Sequence, residues 1–518
     1  MENDRLKKAC VALLLVCLVC SSSFAQRFKV SYSADILNEP FTGKVFLFLS
    51  KIHRNPKDAQ IGLELLPCYA VQAKGVKPGD TVTFDDQAIS FPVQLSDLER
   101  GEYSVQAIWD RNLGGRSITS SPGNLYSQSL EATLTKNTKE VFKIDCNQVM
   151  PAPVFVETER VKELRIPSRL LSDFYHRAVT IDAAVLLPDE YLKEPDRKFP
   201  VLFLVFGFTG DYHAFSGGRD EKIGLLNSTP CIRVLLDGNC PLGHSVYANS
   251  KNNGPWGDAL IEEFIPSLEK RFRCNAARFL TGHSSGGWSV LWLQTHYPKV
   301  FAGCWSSAPD PVDFRSFLNV NLYTEKNLFV DKNGELRPLA MIGGRFPWLY
   351  LRDVYRMENV ISRGEQQHSF DAVFSHKGGE GCPESLCNSE TGEINPRTVA
   401  HWKNYDIALY LKSEWNEIKQ DLDGKVRISV GEQDNWRLNL PVHLLDEEMK
   451  KLGSRFQFAY YPGDHFTVSS SKYREDGIQF LEQKYKEWLE KSAGNETKLS
   501  ESRRVKTYPS RQSRSGTE

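Results

Sequence analysis

The residue in this chain whose sequence context most clearly favours a catalytic role is Ser284, a serine in a Gly-x-Ser-x-Gly motif. The stretch Gly282–Gly286 (Gly-His-Ser-Ser-Gly) follows an apolar run that ends at Thr281 and precedes a helix-like run from Trp288 to Tyr297. A Gly-x-Ser-x-Gly between a strand and a helix predicts a nucleophile elbow, whose sharp turn lifts the serine hydroxyl clear of the sheet. Glycine and serine are also common in plain turns, so a structural turn is the alternative. Ser284 is therefore the candidate nucleophile.

Two residues further along the chain could activate Ser284, because a serine hydroxyl needs a base and the base needs an orienting acid. His465 follows a predicted strand at 457–461, and Asp434 follows a predicted strand at 426–430. Reacting groups collect at the carboxyl ends of strands in open parallel sheets. The order serine, acid, histidine is that of the α/β-hydrolase fold. The plain alternatives are a loop-capping histidine and an ordinary turn aspartate.

Two backbone N–H groups are expected to stabilise the negative charge that forms on a substrate carbonyl. Ser285 opens the helix after the nucleophile, where its N–H points toward the same space as the hydroxyl of Ser284. The second donor is expected from the loop after the strand at 201–206, and the N–H of Phe208 is the candidate. His283 fills the variable position of the motif, and we expect it to pack or to line the pocket.

The elements that must position these residues alternate between strand and helix from residue 160 to residue 490. This alternation predicts a mostly parallel sheet with helices on both faces. Residues 27–150 contain short β-rich runs separated by Pro, Gly and Asp, and they predict a small β-sandwich-like domain. Val149–Pro153 is the predicted linker between the two.

The alternation breaks between residues 312 and 400, in the insertion that precedes the helix leading to the acid strand. A long irregular segment is usually functional or disordered, and a disordered one would lack bulky side chains. We therefore predict an ordered cap that supplies one wall of the substrate pocket; alternatively, its bulky residues only form the cap's own core. These residues are Phe346, Trp348, Leu349, Tyr350, Tyr355, Phe370, Phe374 and Trp402.

Residues 1–25 have the pattern of a cleavable signal peptide. A basic start is followed by a short apolar core at Val11–Val19 and a small-x-small site at Ser23–Ala25. We therefore expect a secreted or periplasmic protein, and the remaining chain predicts no membrane span. Residues 492–518 are polar, rich in Arg and Ser, and are expected to form a disordered tail.

Three of the 11 cysteines lie in the predicted signal peptide, and eight follow it in a compartment that permits disulfides. We predict disulfides between Cys231 and Cys240 and between Cys382 and Cys387, which are close in sequence. Zinc binding by the second pair is disfavoured because no further ligand pair follows at zinc spacing, and we predict neither metal nor organic cofactor. The net charge of −1 gives no basic excess for a nucleic-acid partner.

Five stretches of the chain carry a resemblance to a known family. They are Phe199–Phe208, His244–Ser250, Gly254–Pro266, the serine elbow and Pro462–Phe466. They resemble the putative esterase, or esterase-D-like, family of α/β-hydrolases, which includes feruloyl and acetyl xylan esterases, enterochelin esterases, S-formylglutathione hydrolases and mycolyltransferases. The resemblance implies an α/β-hydrolase fold over about 170–310 and 425–490, and the β-rich domain resembles the enterochelin esterase layout in architecture only. The family usually has His-Gly in the oxyanion loop, where this chain has Phe206-Gly207.

The sequence thus predicts a serine hydrolase that cleaves carboxylic esters through an acyl-enzyme on Ser284, His465 and Asp434. An acyltransferase with the same three residues is the alternative among enzymes, and it would have to keep water from the acyl-enzyme. A non-catalytic binding protein on a hydrolase fold is the third hypothesis, against which the intact set of residues argues. The expected partner is a small-molecule or carbohydrate-linked ester. For the N-terminal domain we expect a structural role, with carbohydrate or partner binding as the alternative.

Overall fold

The computed structural model describes residues 26–135, 140–218, 225–226 and 228–505. The predicted signal peptide lies outside this part of the chain. The chain forms two compact units. The N-terminal unit consists of the chain up to Ala152 together with Asp353–Glu365, and the second unit consists of Pro153–Arg352 and the chain from Gln366 onward.

The N-terminal unit is all-β up to residue 152, as predicted. Its strands are β1 (Arg27–Tyr32), β2 (Phe41–Ser50), β3 (Cys68–Val76), β4 (Val82–Phe84), β5 (Ile89–Phe91), β6 (Gly101–Trp109), β7 (Leu125–Ser127), β8 (Leu130–Leu134) and β9 (Val141–Val149). Hydrogen bonds join all of them into one sheet, in the order β4-β1-β9-β7-β6-β2-β3-β5 with β8 paired to β6. All neighbours are antiparallel except β1 and β9.

The second unit alternates strands and helices. Its strands are β10 (Val161–Pro167), β11 (Thr180–Leu186), β12 (Phe199–Val205), β13 (Leu225–Leu226), β14 (Thr229–Pro230), β15 (Ile232–Leu236), β16 (Asn239–Cys240), β17 (Gly243–His244), β18 (Asn249–Ser250), β19 (Gly254–Pro255), β20 (Cys274–His283), β21 (Gly303–Ser307), β22 (Pro338–Ile342), β23 (Phe346–Tyr350), β24 (Val426–Gly431) and β25 (Gln457–Tyr461). The α-helices within the described residues are α1 (Arg169–Tyr175), α2 (Asp189–Lys193), α3 (Trp256–Ala259), α4 (Ile265–Arg271), α5 (Ser285–His296), α6 (Leu351–Ile361), α7 (Gln366–Phe374), α8 (Pro396–Trp402), α9 (Ile407–Leu422), α10 (Asn439–Lys451) and α11 (Ser471–Val505), with a π turn at Leu260–Phe264 joining α3 to α4.

Eight strands form the main sheet of the second unit, in the order β10-β11-β15-β12-β20-β21-β24-β25. The first two pairings are antiparallel and the other five are parallel. Alternate residues of β12 enter different apolar clusters: Val201 and Phe203 lie in one, and Leu202 lies in another. Both faces of the sheet are therefore covered, as in the predicted α/β-hydrolase fold.

One helix of the predicted cap belongs to the N-terminal unit. Side chains of β2 alternate between two apolar clusters, with Leu47 in one and Phe46 in the other. Met357 and Ile361 of α6 complete the cluster that contains Phe46. The sequence places Asp353–Glu365 in the predicted cap. The surface on which this segment packs lies some 250 residues earlier in the chain, as its contact between Arg363 and Asp110 shows, and no local pattern reports such a distant contact.

A buried ion pair fixes the end of this inserted segment. The guanidinium of Arg363 donates to both carboxylate oxygens of Asp110, at 2.9 and 2.6 Å, and both side chains are buried. The next residue, Gly364, has φ +81°, and a Cβ there would lie 2.0 Å from the carbonyl oxygen of Arg116. The backbone therefore requires glycine at this position.

We expect Asp110→Ala to destabilise the protein by about 3–5 kcal/mol, because it leaves the Arg363 guanidinium buried without its carboxylate. The measurement is urea unfolding of the full chain. Glu99→Ala is the control, since this glutamate forms an exposed ion pair with Lys51 in the same unit, and its midpoint should not change. Equal midpoints for the wild type and Asp110→Ala would show that the pair does not hold the segment.

The remaining part of the insertion packs largely on the nucleophile helix. Phe370 and Phe374 stack with ring centroids 5.8 Å apart, and Trp402 lies 5.1 Å from Phe374. Trp288 of α5 is 5.2 Å from Phe374. These residues form an aromatic core, which is the alternative considered for the cap. The hairpin β22–β23 is the part of the insertion that exposes aromatic side chains.

The predicted disulfides are wrong. Within the described residues, Cys382 is exposed, Cys387 is buried, and no bond joins them. Cys231 and Cys240 are not joined either, because they pack in clusters on opposite faces of the main sheet. A disulfide needs Cα atoms about 4.4–6.8 Å apart. Two cysteines that are close in sequence do not meet this condition when an extended strand separates them.

The last helix is longer than predicted. It continues through residues 492–505, which the sequence analysis placed in a disordered tail, because lysine, glutamate and arginine have good helix propensity. Residues 506–518 lie outside the described part. Among the helices that are described, none combines the length and the apolar character needed to cross a membrane.

Candidate active site

The candidate residues follow strands of the main sheet at its carboxyl edge. Gly207 follows β12, Ser284 follows β20, and Asp310 follows β21. Asp434 follows β24, and His465 follows β25. Because these strands are parallel neighbours, the segments after them meet at one edge of the sheet.

The nucleophile turn has the strand–turn–helix form that its motif predicts. β20 ends directly before Ser284, α5 begins directly after it, and Ser284 has φ +60° and ψ −127°. A Cβ on Gly286 would lie 2.0 Å from the carbonyl oxygen of Val205. A Cβ on Gly282 would lie 2.4 Å from the carbonyl oxygen of Gly286. The close approach of strand and helix therefore requires both glycines of the motif.

Backbone hydrogen bonds hold Ser284 in this conformation, which costs about 1–3 kcal/mol for a residue other than glycine. Its N–H donates to the carbonyl oxygen of Ser307 at 3.0 Å. Its carbonyl oxygen accepts from the N–H of Trp288 at 3.0 Å and from that of Asp310 at 3.2 Å. The residue is half-buried. The turn therefore presents the serine from a backbone that is fixed on both sides.

The predicted base and acid are in direct contact. Nδ1 of His465 lies 2.7 Å from a carboxylate oxygen of Asp434, and both side chains are buried. The other carboxylate oxygen accepts from the N–H groups of Trp436 at 2.9 Å and Leu438 at 3.3 Å. A carboxylate at Nδ1 keeps the proton on that nitrogen and leaves Nε2 as the acceptor that a base needs.

His283 lies between the nucleophile turn and the base. Its ring centroid is 4.5 Å from that of His465, and it directly precedes Ser284, so the two loops are adjacent. Its Nδ1 lies 2.7 Å from the hydroxyl oxygen of Ser307, which is hydrogen-bonded in turn to the hydroxyl of Tyr473 at 2.7 Å. Burial and the neighbouring His465 lower the pKa of His283 to about 4. The residue is therefore neutral at pH 7 and packs under the base.

Asn435 connects the loop that carries His465, the predicted base, to the hairpin β22–β23 through hydrogen bonds. Its side-chain oxygen accepts from the N–H of His465 at 3.1 Å. Its side-chain nitrogen donates to the carbonyl oxygen of Met341 at 2.8 Å, and its own carbonyl oxygen accepts from the Met341 N–H at 2.8 Å. We call this set of three hydrogen bonds the Asn435 clamp. No motif in the sequence marks this residue, although it directly follows the predicted acid.

The loop after β12 lies against the nucleophile, as expected for an oxyanion loop. A Cβ on Gly207 would be 3.2 Å from Cβ of Ser284. The turn closes with a hydrogen bond from the N–H of Gly210 to the carbonyl oxygen of Gly207, at 3.0 Å. Phe208 is the first central residue of this turn, and Ser285 is the first residue of α5. That their N–H groups form the oxyanion hole stays a prediction.

Packing accounts for the Phe206-Gly207 sequence in this loop. The ring of Phe206 stacks on Phe215, with centroids 6.1 Å apart. A Cβ on Gly210 would lie 2.3 Å from Cβ of Phe206, so the turn folds tightly over that side chain. Phe206 therefore anchors the loop through its ring.

A second buried carboxylate lies beside the nucleophile, and the sequence analysis missed it. The hydroxyl of Ser285 donates to Asp310 at 2.5 Å. Burial raises the pKa of Asp310 to about 6, against the opposing effects of the Ser285 and Ser284 hydroxyls and of His465. The signal that could have found it is its place after β21, at the same sheet edge as Asp434. Within the described residues, no group of His, Cys, Asp and Glu is arranged to hold a metal ion.

The Ser284 turn, the loop after β12 and the buried His465–Asp434 pair lie at the carboxyl edge of a parallel sheet, as is typical of the α/β-hydrolase fold. A family model described as putative esterase matches residues 179–480, which is more than half of the chain. The chain therefore belongs to the putative esterase family, as its motifs indicated, and ester hydrolysis by a serine hydrolase is the activity of that family. No curated protein matches the chain.

Similar folds occur among solved structures. A ferulic acid esterase is 15% identical, covers 63% of this chain and 97% of its own, and has a TM-score of 0.37. The fluorophosphonate-binding serine hydrolase F of Staphylococcus aureus is 16% identical, with coverages of 62% and 97% and a TM-score of 0.36. An S-formylglutathione hydrolase from Agrobacterium tumefaciens is 15% identical, with coverages of 62% and 95% and a TM-score of 0.35. At these values, the substrates of those proteins do not identify the substrate of this one.

Proposed function

We propose that this protein is an exported serine esterase that cleaves carboxylic esters through an acyl-enzyme. Ser284 is the nucleophile, His465 is the general base and acid, and Asp434 orients the imidazole. The observation that carries the proposal is the buried 2.7 Å contact between Nδ1 of His465 and Asp434, next to a serine on a nucleophile turn. Export is supported by the signal-peptide pattern of residues 1–25.

The proposed reaction begins with attack of the Ser284 hydroxyl oxygen on the ester carbonyl carbon. Its proton passes to Nε2 of His465 as the carbonyl oxygen becomes negative. The N–H groups of Phe208 and Ser285 are the proposed donors to that oxygen. The bond to the alcohol oxygen then breaks, and His465 returns the proton to this leaving group.

Water completes the cycle. Its oxygen attacks the acyl carbon while His465 accepts one of its protons. The bond to the serine oxygen breaks, Ser284 regains a proton from the imidazolium, and the carboxylic acid leaves. An alcohol in place of water would give acyl transfer, but no feature of the described residues favours that acceptor over water.

We expect steady hydrolysis of 4-nitrophenyl acetate and, in acid-quenched samples, an acetyl group on the peptide that carries Ser284. Mass spectrometry of the digested protein locates the acetyl group, and Ser284→Ala is the matched control. The proposal would be contradicted if the wild type released nitrophenol no faster than Ser284→Ala and carried no acetylated peptide. Added n-propanol distinguishes the transferase, because that enzyme would form propyl acetate in preference to acetate.

A further inference from the structure

A contiguous patch of large apolar side chains that stays exposed on a folded protein marks a binding surface. Within the described residues, the exposed phenylalanines and tryptophans are Phe346, Trp348 and Phe466, which are 70%, 37% and 58% exposed. Phe346 and Trp348 both lie on β23, where the register of the hairpin shifts at Trp348 and residues 346–348 are all exposed. Phe466 directly follows the proposed base. Exposed aromatic side chains are therefore concentrated around one part of the second unit.

Trp436 links these side chains to the base. Its ring centroid is 6.4 Å from that of Trp348 and 5.3 Å from that of Phe466. It packs edge-on against His465, with centroids 4.7 Å apart. We call Phe346, Trp348, Trp436 and Phe466 the aromatic shelf. Ring contacts through Trp348 and Trp436 thus connect the hairpin to the imidazole that the proposed reaction uses.

The aromatic shelf has a fixed position relative to the base. The Asn435 clamp joins the hairpin to the loop that carries Trp436, and the same asparagine accepts the N–H of His465. The hairpin itself is held by antiparallel pairing of β22 with β23. A surface that is preorganised in this way binds with a smaller loss of conformational entropy than a mobile loop would.

The position of the shelf decides which half of an ester it can touch. In the proposed reaction, His465 protonates the oxygen of the leaving alcohol, so this oxygen must come within hydrogen-bond reach of the imidazole. The group attached to that oxygen then lies next to the ring that packs on His465. The acyl half instead stays bonded to Ser284 in the proposed acyl-enzyme.

We propose that the aromatic shelf binds the alcohol half of the substrate and that this half carries a flat, apolar ring. The inference rests on the proposed function and adds the class of leaving group. Flat rings stack on exposed tryptophan and phenylalanine faces, whereas short alkyl groups cover little of them. The shelf is thus a specificity-determining surface for esters of ring-bearing alcohols.

The test compares benzyl acetate with n-propyl acetate, which share an acyl group and differ in the ring of the alcohol. Trp348→Ala and Phe346→Ala are the variants, because both side chains are exposed and the ring contact of Trp348 is with Trp436 rather than with the triad. We expect the ratio of kcat/KM for benzyl over propyl acetate to fall about tenfold in Trp348→Ala, mainly through KM. Trp348→Leu keeps an apolar side chain but lacks the flat face, so the same ratio should fall by a similar factor in this variant. Leu489→Ala, at an exposed site on α11, is the control.

The opposite arrangement is tested with propyl phenylacetate, in which the ring is on the acyl half. If Trp348→Ala lowers kcat/KM for propyl phenylacetate relative to propyl acetate and leaves the ratio of benzyl to propyl acetate unchanged, the acyl group lies on the shelf. That result would overturn the inference. An unchanged ratio for both pairs would also overturn it and would assign the shelf to a protein or membrane contact. Failure of the proposed function is distinct, because the wild type would then hydrolyse none of the three esters.

Discussion

Replacing Ser284 with alanine is expected to lower kcat about 10³-fold or more while the fold remains intact. The variant keeps the hydrogen bonds of the Ser284 backbone, and it loses only the oxygen that forms the acyl-enzyme. His465→Ala should cost a similar factor, because a nucleophile and its base act as a unit. For the same reason, the double variant should be hardly slower than either single one.

The measurement is kcat for 4-nitrophenyl acetate, with the melting temperature as a check on the fold. Ser413→Ala and His176→Ala are matched controls, since Ser413 is exposed on α9 and His176 is exposed at the end of α1. Their kcat values should equal that of the wild type. A Ser284→Ala variant with more than a tenth of the wild-type kcat would exclude Ser284 as the nucleophile.

Asp434→Asn is expected to have the second largest effect, a loss of about 10²–10⁴ in kcat that is smaller than the loss in Ser284→Ala. An asparagine oxygen can still accept from Nδ1, but it does not stabilise the imidazolium that forms when Ser284 gives up its proton. The amide nitrogen can also face the ring and favour the wrong tautomer. The expected signature is a lower kcat at nearly unchanged KM.

Asp310→Asn is the matched comparison, because Asp310 is also buried and also interacts with the charge on His465. We expect it to lower kcat by only about tenfold, the equivalent of one charge-assisted hydrogen bond, here the one from Ser285. If Asp310→Asn costs more than Asp434→Asn, the acid after β21 orients the histidine, and the assignment of Asp434 is wrong.

The sequence was sufficient to predict the fold class and the strand ends that Ser284, Asp434 and His465 follow. Strand and helix periodicity, interrupted by Gly-x-Ser-x-Gly, predicts where Ser284 must lie, because only a strand–turn–helix fits that spacing. The strands before Asp434 and His465 are short and apolar, so their ends could be located to within a residue or so. Local patterns determine local structure, and the parallel sheet then brings the strand ends to one edge.

Contacts between distant segments could not be predicted in this way. Asp353–Glu365 belongs to the N-terminal unit because it packs on an apolar sheet face and because Arg363 pairs with Asp110. These two residues are far apart in the sequence, and no motif connects them. Asp310 and Asn435 are an aspartate and an asparagine in loops, where both residue types are ordinary. Their roles follow from what lies beside them in space.

By itself, the sequence determined the order of strands and helices, the elbow that carries Ser284, and the acid and histidine that follow it, because each depends on short-range periodicity and turn chemistry. Tertiary structure alone decided that no predicted pair of cysteines is joined, since β15 begins directly after Cys231, whose side chain lies on the face opposite that of Cys240. It also decided which aromatic residues of the insertion are buried and which stay exposed. That difference depends on which surface each segment meets when the chain folds, and spacing along the sequence does not record it.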